Sequence, residues 1–358
     1  MSSADSIGYG LVGVGAIAEV HAAALARVRG ARLRAVCSRD FPRARHFADQ
    51  HGVDAERDLA ALLARSDVDV LGVTTPSGAH GDSVLAGFAA GKHVLCEKPL
   101  EISLARVDQL LSASRRHGRR LGVVMPARFG DGAQAVKRAV SQGLLGRLTL
   151  CSADVKWWRT EDYYRASSWR GTWNGDGGGA LINQGIHAVD LLQWFAGEVR
   201  RATALTATLA HPAIEVEDTL TAAVEFANGA LGTVECATSC APGGARRIEL
   251  CGDQGTIVLE DDRIARWELA GTGAGKAGPP PPAPSQIGGG GSDPRAIGVE
   301  GHKRVIEDMT EAVRDNRPPR VTGEDARKTL EVIEMIYLSS PMAALRAIRL
   351  AANRESKS

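Results

Sequence analysis

The sequence predicts an α/β protein in two parts: an N-terminal doubly wound parallel sheet, then a C-terminal α/β domain built on a large, mostly antiparallel sheet. Three observations predict it. Short apolar runs alternate with longer amphipathic segments up to about residue 126, the pattern of β-α-β units. Past Arg128 the apolar period shortens to two residues, as in strands with one covered face. With 358 residues and 44% apolar content, the chain is long enough for two hydrophobic cores. The expected domains are 1–126 and 127–358.

In the first part, the strands fall at Ile7 to Val12, Leu33 to Cys37, Val68 to Thr74, His93 to Cys96 and Leu121 to Met125. Helical segments at Ile17 to Val28, Ala44 to Gln50 and Ser103 to His117 separate them, the last with Ser103 as N-cap. In the second part, Leu148 to Trp158, Ala202 to Leu209, Thr219 to Phe226, Leu231 to Thr238, Arg246 to Leu250 and Thr256 to Glu260 read as strands. Asn228-Gly229 is a hairpin signal between two of them. A helix after Gly179 is expected to cover one face of this sheet. From Gly271 to Pro294 the composition is almost all Gly, Pro, Ala and Ser, which predicts a mobile loop. Helices resume at His302 to Arg314 and Glu324 to Leu338, and the last is expected to pack back on the first domain.

A net charge of +1, from 43 basic and 42 acidic residues, gives no extended positive field for a phosphate polymer, so no nucleic-acid partner is expected. Met1 to Gly10 has no basic leader pattern, and no stretch reaches the ~20 apolar residues of a membrane span. No membrane association and a cytoplasmic location are therefore expected. Cys37, Cys96, Cys151, Cys236, Cys240 and Cys251 include no C-x-x-C pair, so buried free thiols are expected and no metal site.

Gly13, Gly15 and Ala18 form G-x-G-x-x-A between the first strand and first helix. Such glycines let backbone approach a pyrophosphate, and the helix start, Ala16 and Ile17, offers unpaired N–H groups and positive dipole. This is the Rossmann arrangement for a nicotinamide dinucleotide. A carboxylate ending the second strand would hold a free 2'-hydroxyl, but Ser38 and Arg39 stand there with Arg43 one turn on. A hydroxyl and guanidinium suit a 2'-phosphate, which favours NADP. Asp40, two residues along, keeps NAD as the runner-up.

Lys98, in Glu97-Lys98-Pro99, follows the fourth candidate strand at its carboxyl end, where open α/β sheets present ligands. Gly13 to Ala18, Thr74-Thr75-Pro76 with His80, and Glu97-Lys98-Pro99 together resemble the glucose-fructose oxidoreductase, inositol dehydrogenase and rhizopine-catabolism (Gfo/Idh/MocA) family. The run Gly177 to Leu181 through Asn183, Gly185, His187 and Asp190 is similar to that family's second signature. The resemblance spans nearly the whole chain. It implies a nucleotide domain contacted through Thr75, Pro76, His80, Glu97 and Lys98, then an α/β domain with an open sheet used for homo-oligomer contacts, in a dimer or tetramer. It also implies that Lys98 lies near the nicotinamide and the reacting hydroxyl, with His187 exchanging the proton. Many members carry aspartate where this chain has Asn183, and an amide cannot share a proton, which leaves Asn183 to orient substrate.

If Ala180 to Phe195 is a helix, Asn183, His187 and Asp190 share one face at i, i+4 and i+7. Imidazole suits the proton transfer by its ordinary pKa, and a fixed ammonium steadies an alkoxide. The expected catalytic residues are therefore Lys98, His187 and Asn183.

Four of six tryptophans and two of four tyrosines lie between Trp157 and Trp173, interleaved with Arg159, Arg165 and Arg170. Flat rings suit sugar C–H faces, and their polar edges suit hydroxyls. Tyr163, Tyr164, Trp169 and Arg170 join Lys98, Asn183 and His187 as candidate substrate contacts, with Arg128 and His302 as further ones. The expected reaction is hydride transfer between NAD(P) and a ring hydroxyl or ketone of a sugar or glycoside, carbon 3 being one candidate position. The alternatives are a keto-sugar reductase, an inositol dehydrogenase and, from another class, a non-catalytic NAD(P)-binding sensor.

Overall fold

The computed structural model describes residues 6–270, 287 and 298–344. The predicted loop at 271–294 thus lies outside the described residues, Ile287 excepted. The chain divides into two compact units, residues up to 126 with 298–328, and residues 127–297 with 329 onward.

The first unit holds β1 (Ile7–Val12), α1 (Ala16–Leu25), β2 (Ala31–Cys37), α2 (Phe41–His51), β3 (Asp54–Glu56), α3 (Leu59–Ala64), β4 (Val70–Val73), α4 (His80–Ala89), β5 (His93–Cys96), α5 (Leu104–His117) and β6 (Leu121–Val123). Its sheet runs β3-β2-β1-β4-β5-β6, all parallel. The order reverses between β1 and β4, and ligands of such sheets sit outside the strand ends at that switch point. Strand β4 is buried at all four positions, as a sheet covered on both faces requires. Leu11, Ala18, Ala22, Val36, Phe47 and Ala48 form one core cluster of the unit. Each large apolar side chain there stabilises the fold by roughly 1.5–3 kcal/mol. Ser103 caps α5 by accepting from Arg106 N–H, and Gly118 ends it with φ 60°, as the sequence predicts.

The second unit contains α6 (Asp131–Ser141), β7 (Leu148–Lys156), α7 (Glu161–Arg165), α8 (Trp173–Asp176), a π-helical turn (Leu181–Gly185), α9 (Ile186–Ala196) and β8 (Val199–Ala207). Strands β9 (Thr219–Phe226), β10 (Leu231–Ala237), β11 (Arg247–Gly252), β12 (Gly255–Glu260) and β13 (Arg263–Leu269) follow. The sheet order is β13-β12-β11-β7-β10-β9-β8, with β7 and β10 parallel and every other pair antiparallel. Alternate residues of β9 are buried and exposed, and α9 lies on β7 and β11, so among the described residues helices cover one face of the sheet. The hairpin between β9 and β10 turns at Asn228-Gly229, where Gly229 takes φ 86°.

Helices α10 (Val299–Arg314) and α11 (Gly323–Leu338) complete the described chain. Within the first unit Tyr9 bonds Thr310 at 2.9 Å, and Thr322 bridges to Gly122. The unit division falls inside α11. All six cysteines are free, but only four are buried. Cys240 and Cys251 keep some exposure, because both sit near strand ends.

Candidate active site

Between β1 and α1 the chain turns at Gly13, whose φ is 96° and where a Cβ would lie 2.8 Å from Thr74 O. Only glycine fits that close pass between the ends of β1 and β4. At Gly15 the opposite holds, because a Cβ would meet nothing within 4 Å. Gly15 caps α1 with no side chain, so the first helical N–H groups, at exposed Ala16 and half-open Ile17, are left for an anion. Open space beside a helix start fits a dinucleotide pyrophosphate.

After β2, Ser38 is half-buried while Arg39 and Arg43 are exposed. Asp40 caps α2, its carboxylate accepting Arg43 N–H at 3.1 Å. Thr75 and Pro76 follow β4 half-exposed. His80 is different. It is 1% exposed, with Nδ1 2.8 Å from Pro99 O and Nε2 2.8 Å from Thr75 O. Its ring fastens the two loops that end β4 and β5.

Glu97 is likewise engaged inside the fold. Its carboxylate is buried, with Oε1 2.8 Å from His21 Nε2 and 3.4 Å from His302 Nε2, while Oε2 accepts Lys98 N–H at 3.2 Å. Burial pushes the His21 imidazole below its ordinary value, so near neutrality it is a neutral donor to Glu97. His302, 5% exposed, belongs to this cluster and not to a substrate surface. These three bring ligand atoms within 4.8 Å of one another and are the group among the described residues that could hold a metal ion. The 2.8 Å contact of His21 with Glu97 is nevertheless already a hydrogen bond. From Val94 to Leu100, Lys98 alone keeps solvent access.

In the second unit, the predicted polar face of the helix is interrupted. The π turn at Leu181–Gly185 changes the angular step before α9. From Asp176 to Leu192 only Asn183 and His187 reach solvent. Asp190, predicted on their face, is 1% exposed and pairs with Arg128 through two 2.8 Å bonds. Thr329 donates a third at 2.8 Å, and the Arg128 guanidinium also lies over Trp194. Arg128 is thus a buried cation held in packing. Sequence reasoning could not see this, because the pair joins residues 62 apart.

The aromatic segment divides. Trp157 and Trp173 are buried, and Tyr164 is tied to Thr238 by a 2.7 Å bond and packs on His211, a structural position. Tyr163, Trp169 and Arg170 are half-exposed, and the Arg170 guanidinium stacks on both rings at 4.4 and 5.4 Å. Tyr163 OH accepts Gln184 Nε2 at 3.0 Å, which joins this stack to the residue beside Asn183.

Glu217 carries no local motif that would single it out in the sequence. Fully buried, it accepts Gly179 N–H and Leu181 N–H at 3.0 Å and Tyr337 OH at 2.8 Å. It thereby anchors the glycine run that launches the π turn. Burial raises its carboxyl to about 7.

Residues 7–125 match the family model described as the oxidoreductase family, NAD-binding Rossmann fold, and residues 133–258 match the GFO/IDH/MocA C-terminal domain. The chain belongs to the GFO/IDH/MocA oxidoreductase family. Its first unit is accordingly an NAD-binding Rossmann fold, and the resemblance read from its motifs is borne out. The WlbA dehydrogenase from Bordetella pertussis, solved in complex with NADH and UDP-GlcNAcA, is 31% identical with a TM-score of 0.82, over 93% of this chain and 96% of that one. D-apiose dehydrogenase of Paraburkholderia graminis is 28% identical over 92% of this chain and 86% of that protein. Myo-inositol 2-dehydrogenase of Thermotoga maritima is 27% identical over 90% and 92%. Among the described residues no helix is long and apolar enough to cross a membrane.

Proposed function

We propose that this GFO/IDH/MocA member transfers a hydride between a nicotinamide dinucleotide and a ring hydroxyl or ketone of a sugar or glycoside. The observation that carries the reading is selective exposure. The buried segments 94–100 and 176–192 open to solvent only at an amine, Lys98, and at an amide and an imidazole, Asn183 and His187. In that role His187 takes the hydroxyl proton, Lys98 steadies the developing alkoxide and Asn183 orients the substrate, with Tyr163, Trp169 and Arg170 as the binding wall. The dinucleotide supplies the hydride acceptor or donor. The sugar-acting relatives support this substrate class, and carbon 3 is the first position to examine.

Ser38, Arg39 and Arg43 support NADP, and the capping duty of Asp40 leaves less of that carboxylate for a ribose. NAD is the second reading, supported by the NADH bound in the WlbA complex. Assembly into a homo-oligomer through the seven-stranded sheet is supported by Leu150, Leu205 and Leu231, 54%, 68% and 56% exposed on strands of that sheet.

The test is a turnover screen at 340 nm with each cofactor against glycosides, free sugars, inositols and nucleotide sugars. Lys98→Ala and His187→Ala are each expected to lower turnover at least ~100-fold while cofactor still binds. Near-normal turnover in either variant refutes the roles. Equal or better use of NAD refutes the NADP preference, and tight cofactor binding without turnover of any substrate moves the protein to the sensor class.

A further inference from the structure

Four side chains of the second unit are joined by hydrogen bonds that all point one way. Arg159 donates through a terminal nitrogen to Gln184 Oε1 at 2.9 Å. Gln184 Nε2 donates to Asn183 Oδ1 at 3.0 Å, and Asn183 Nδ2 donates to Asp176 Oδ1 at 2.5 Å. Asp176 Oδ2 accepts Gly171 N–H at 2.7 Å. The chain therefore runs from a cation to an anion through two amides. Arg159, Gln184 and Asp176 are 2%, 9% and 3% exposed, while Asn183 is half-open.

The polarity has a definite consequence. A guanidinium only donates and a carboxylate only accepts, so neither amide can turn over without setting like groups against each other. Bonds in series also polarise one another in a low-dielectric interior. We infer that Asp176 and Arg159 are positioning residues that fix the Asn183 amide in one orientation, so that a substrate hydroxyl meets the same polar edge of Asn183 at every encounter. The inference rests on the reading that Asn183 faces substrate. It also explains why residue 183 is an amide in this chain. A carboxylate there would stand about as close to that of Asp176 as the amide does, and two carboxylates at such range cannot both ionise.

Charged and titratable groups around the pair include Tyr163, whose OH meets Gln184, Tyr164, which packs on Tyr163 and feels the Asp176 charge, and the Arg159 and Arg170 guanidiniums that stack on the Tyr163 ring. His187 follows one turn later.

The experiment compares Asp176→Asn, Asn183→Asp and the double exchange that puts each group in the other's place. Asp176→Asn is expected to raise KM at least ~10-fold, with a smaller fall in kcat, because the amide is no longer held. Asn183→Asp is expected to melt well below wild type at about pH 8 but close to it at about pH 5, where one carboxyl holds a proton. The double exchange, with a single carboxylate again, is expected to recover the melting temperature at both pH values and most of the lost KM. Asp176→Asn with wild-type KM overturns the positioning role. A double exchange no better than the summed single variants overturns the polar chain itself. The melting arm reads the chain without turnover. An unaffected Lys98→Ala or His187→Ala would therefore refute the proposed function while this arm still decided the inference.

Discussion

Replacing Asp190 by Asn leaves the side-chain shape and removes the charge that Arg128 faces. In the folded protein that carboxylate accepts two guanidinium bonds and one from Thr329, all at 2.8 Å, and both partners are almost fully buried. Losing one member of such a pair costs about 3–5 kcal/mol, because a desolvated charge is left uncompensated. An amide still accepts one bond, so the low end applies, about 3 kcal/mol. For a unit of this size, each kcal/mol lowers Tm by about 2–4 °C, and the expected fall is about 6–12 °C. Differential scanning calorimetry of wild type, Asp190→Asn and a double Arg128→Met, Asp190→Leu variant measures it. The double variant, which buries no charge, should recover most of the loss. A fall below about 2 °C accompanied by a raised KM would refute the packing role and return Arg128 to the substrate.

Two glycines of the site give opposite outcomes. At Gly179 an added Cβ lies 1.8 Å from Glu217 O, a backbone atom that cannot yield, so Gly179→Ala should cost about 3 kcal/mol or more, read from soluble yield and urea midpoint. Gly15→Ala meets no neighbour within 4 Å and should fold normally, yet bind dinucleotide at least ~10-fold more weakly by calorimetric titration, since the methyl occupies space proposed for pyrophosphate. Glu217 sets a pH dependence. With its folded-state carboxyl raised from 4.5 to about 7, its contribution is fully present below about pH 4.5 and is lost as pH climbs through about 7, some ~3 kcal/mol in all. Urea unfolding from about pH 5 to 8 should show that decline in wild type and a flatter curve in Glu217→Gln; equal slopes would count against the assignment.

Much of the first sheet was legible because its strands are covered on both faces and read as unbroken apolar runs, as β1 and β5 do. Strand β3 was not, since Asp54-Ala55-Glu56 at the sheet's edge has no apolar run to find. Strand β13 escaped for a related reason, its Arg263, Arg266 and Glu268 being edge residues. Lys98, Asn183 and His187, the proposed catalytic groups, were singled out through local motifs. Their supports, Asp176, Gln184, Arg159 and Glu217, were not, because contacts over 7, 25 and 36 residues follow no local period. The π turn leaves no mark in the apolar pattern and alters the step only at Asn183; Asp190, one turn past His187 within α9, is buried because it pairs with Arg128.

Tyr337 lies in the last turn of α11, and its hydroxyl meets both Glu217 and the amide of Gly179. A residue 150 positions downstream of His187 thus secures the loop that precedes that histidine. A version cut back before residue 337 would keep every proposed catalytic group and still lose the hydroxyl that ties Glu217 to the glycine run ahead of the π turn.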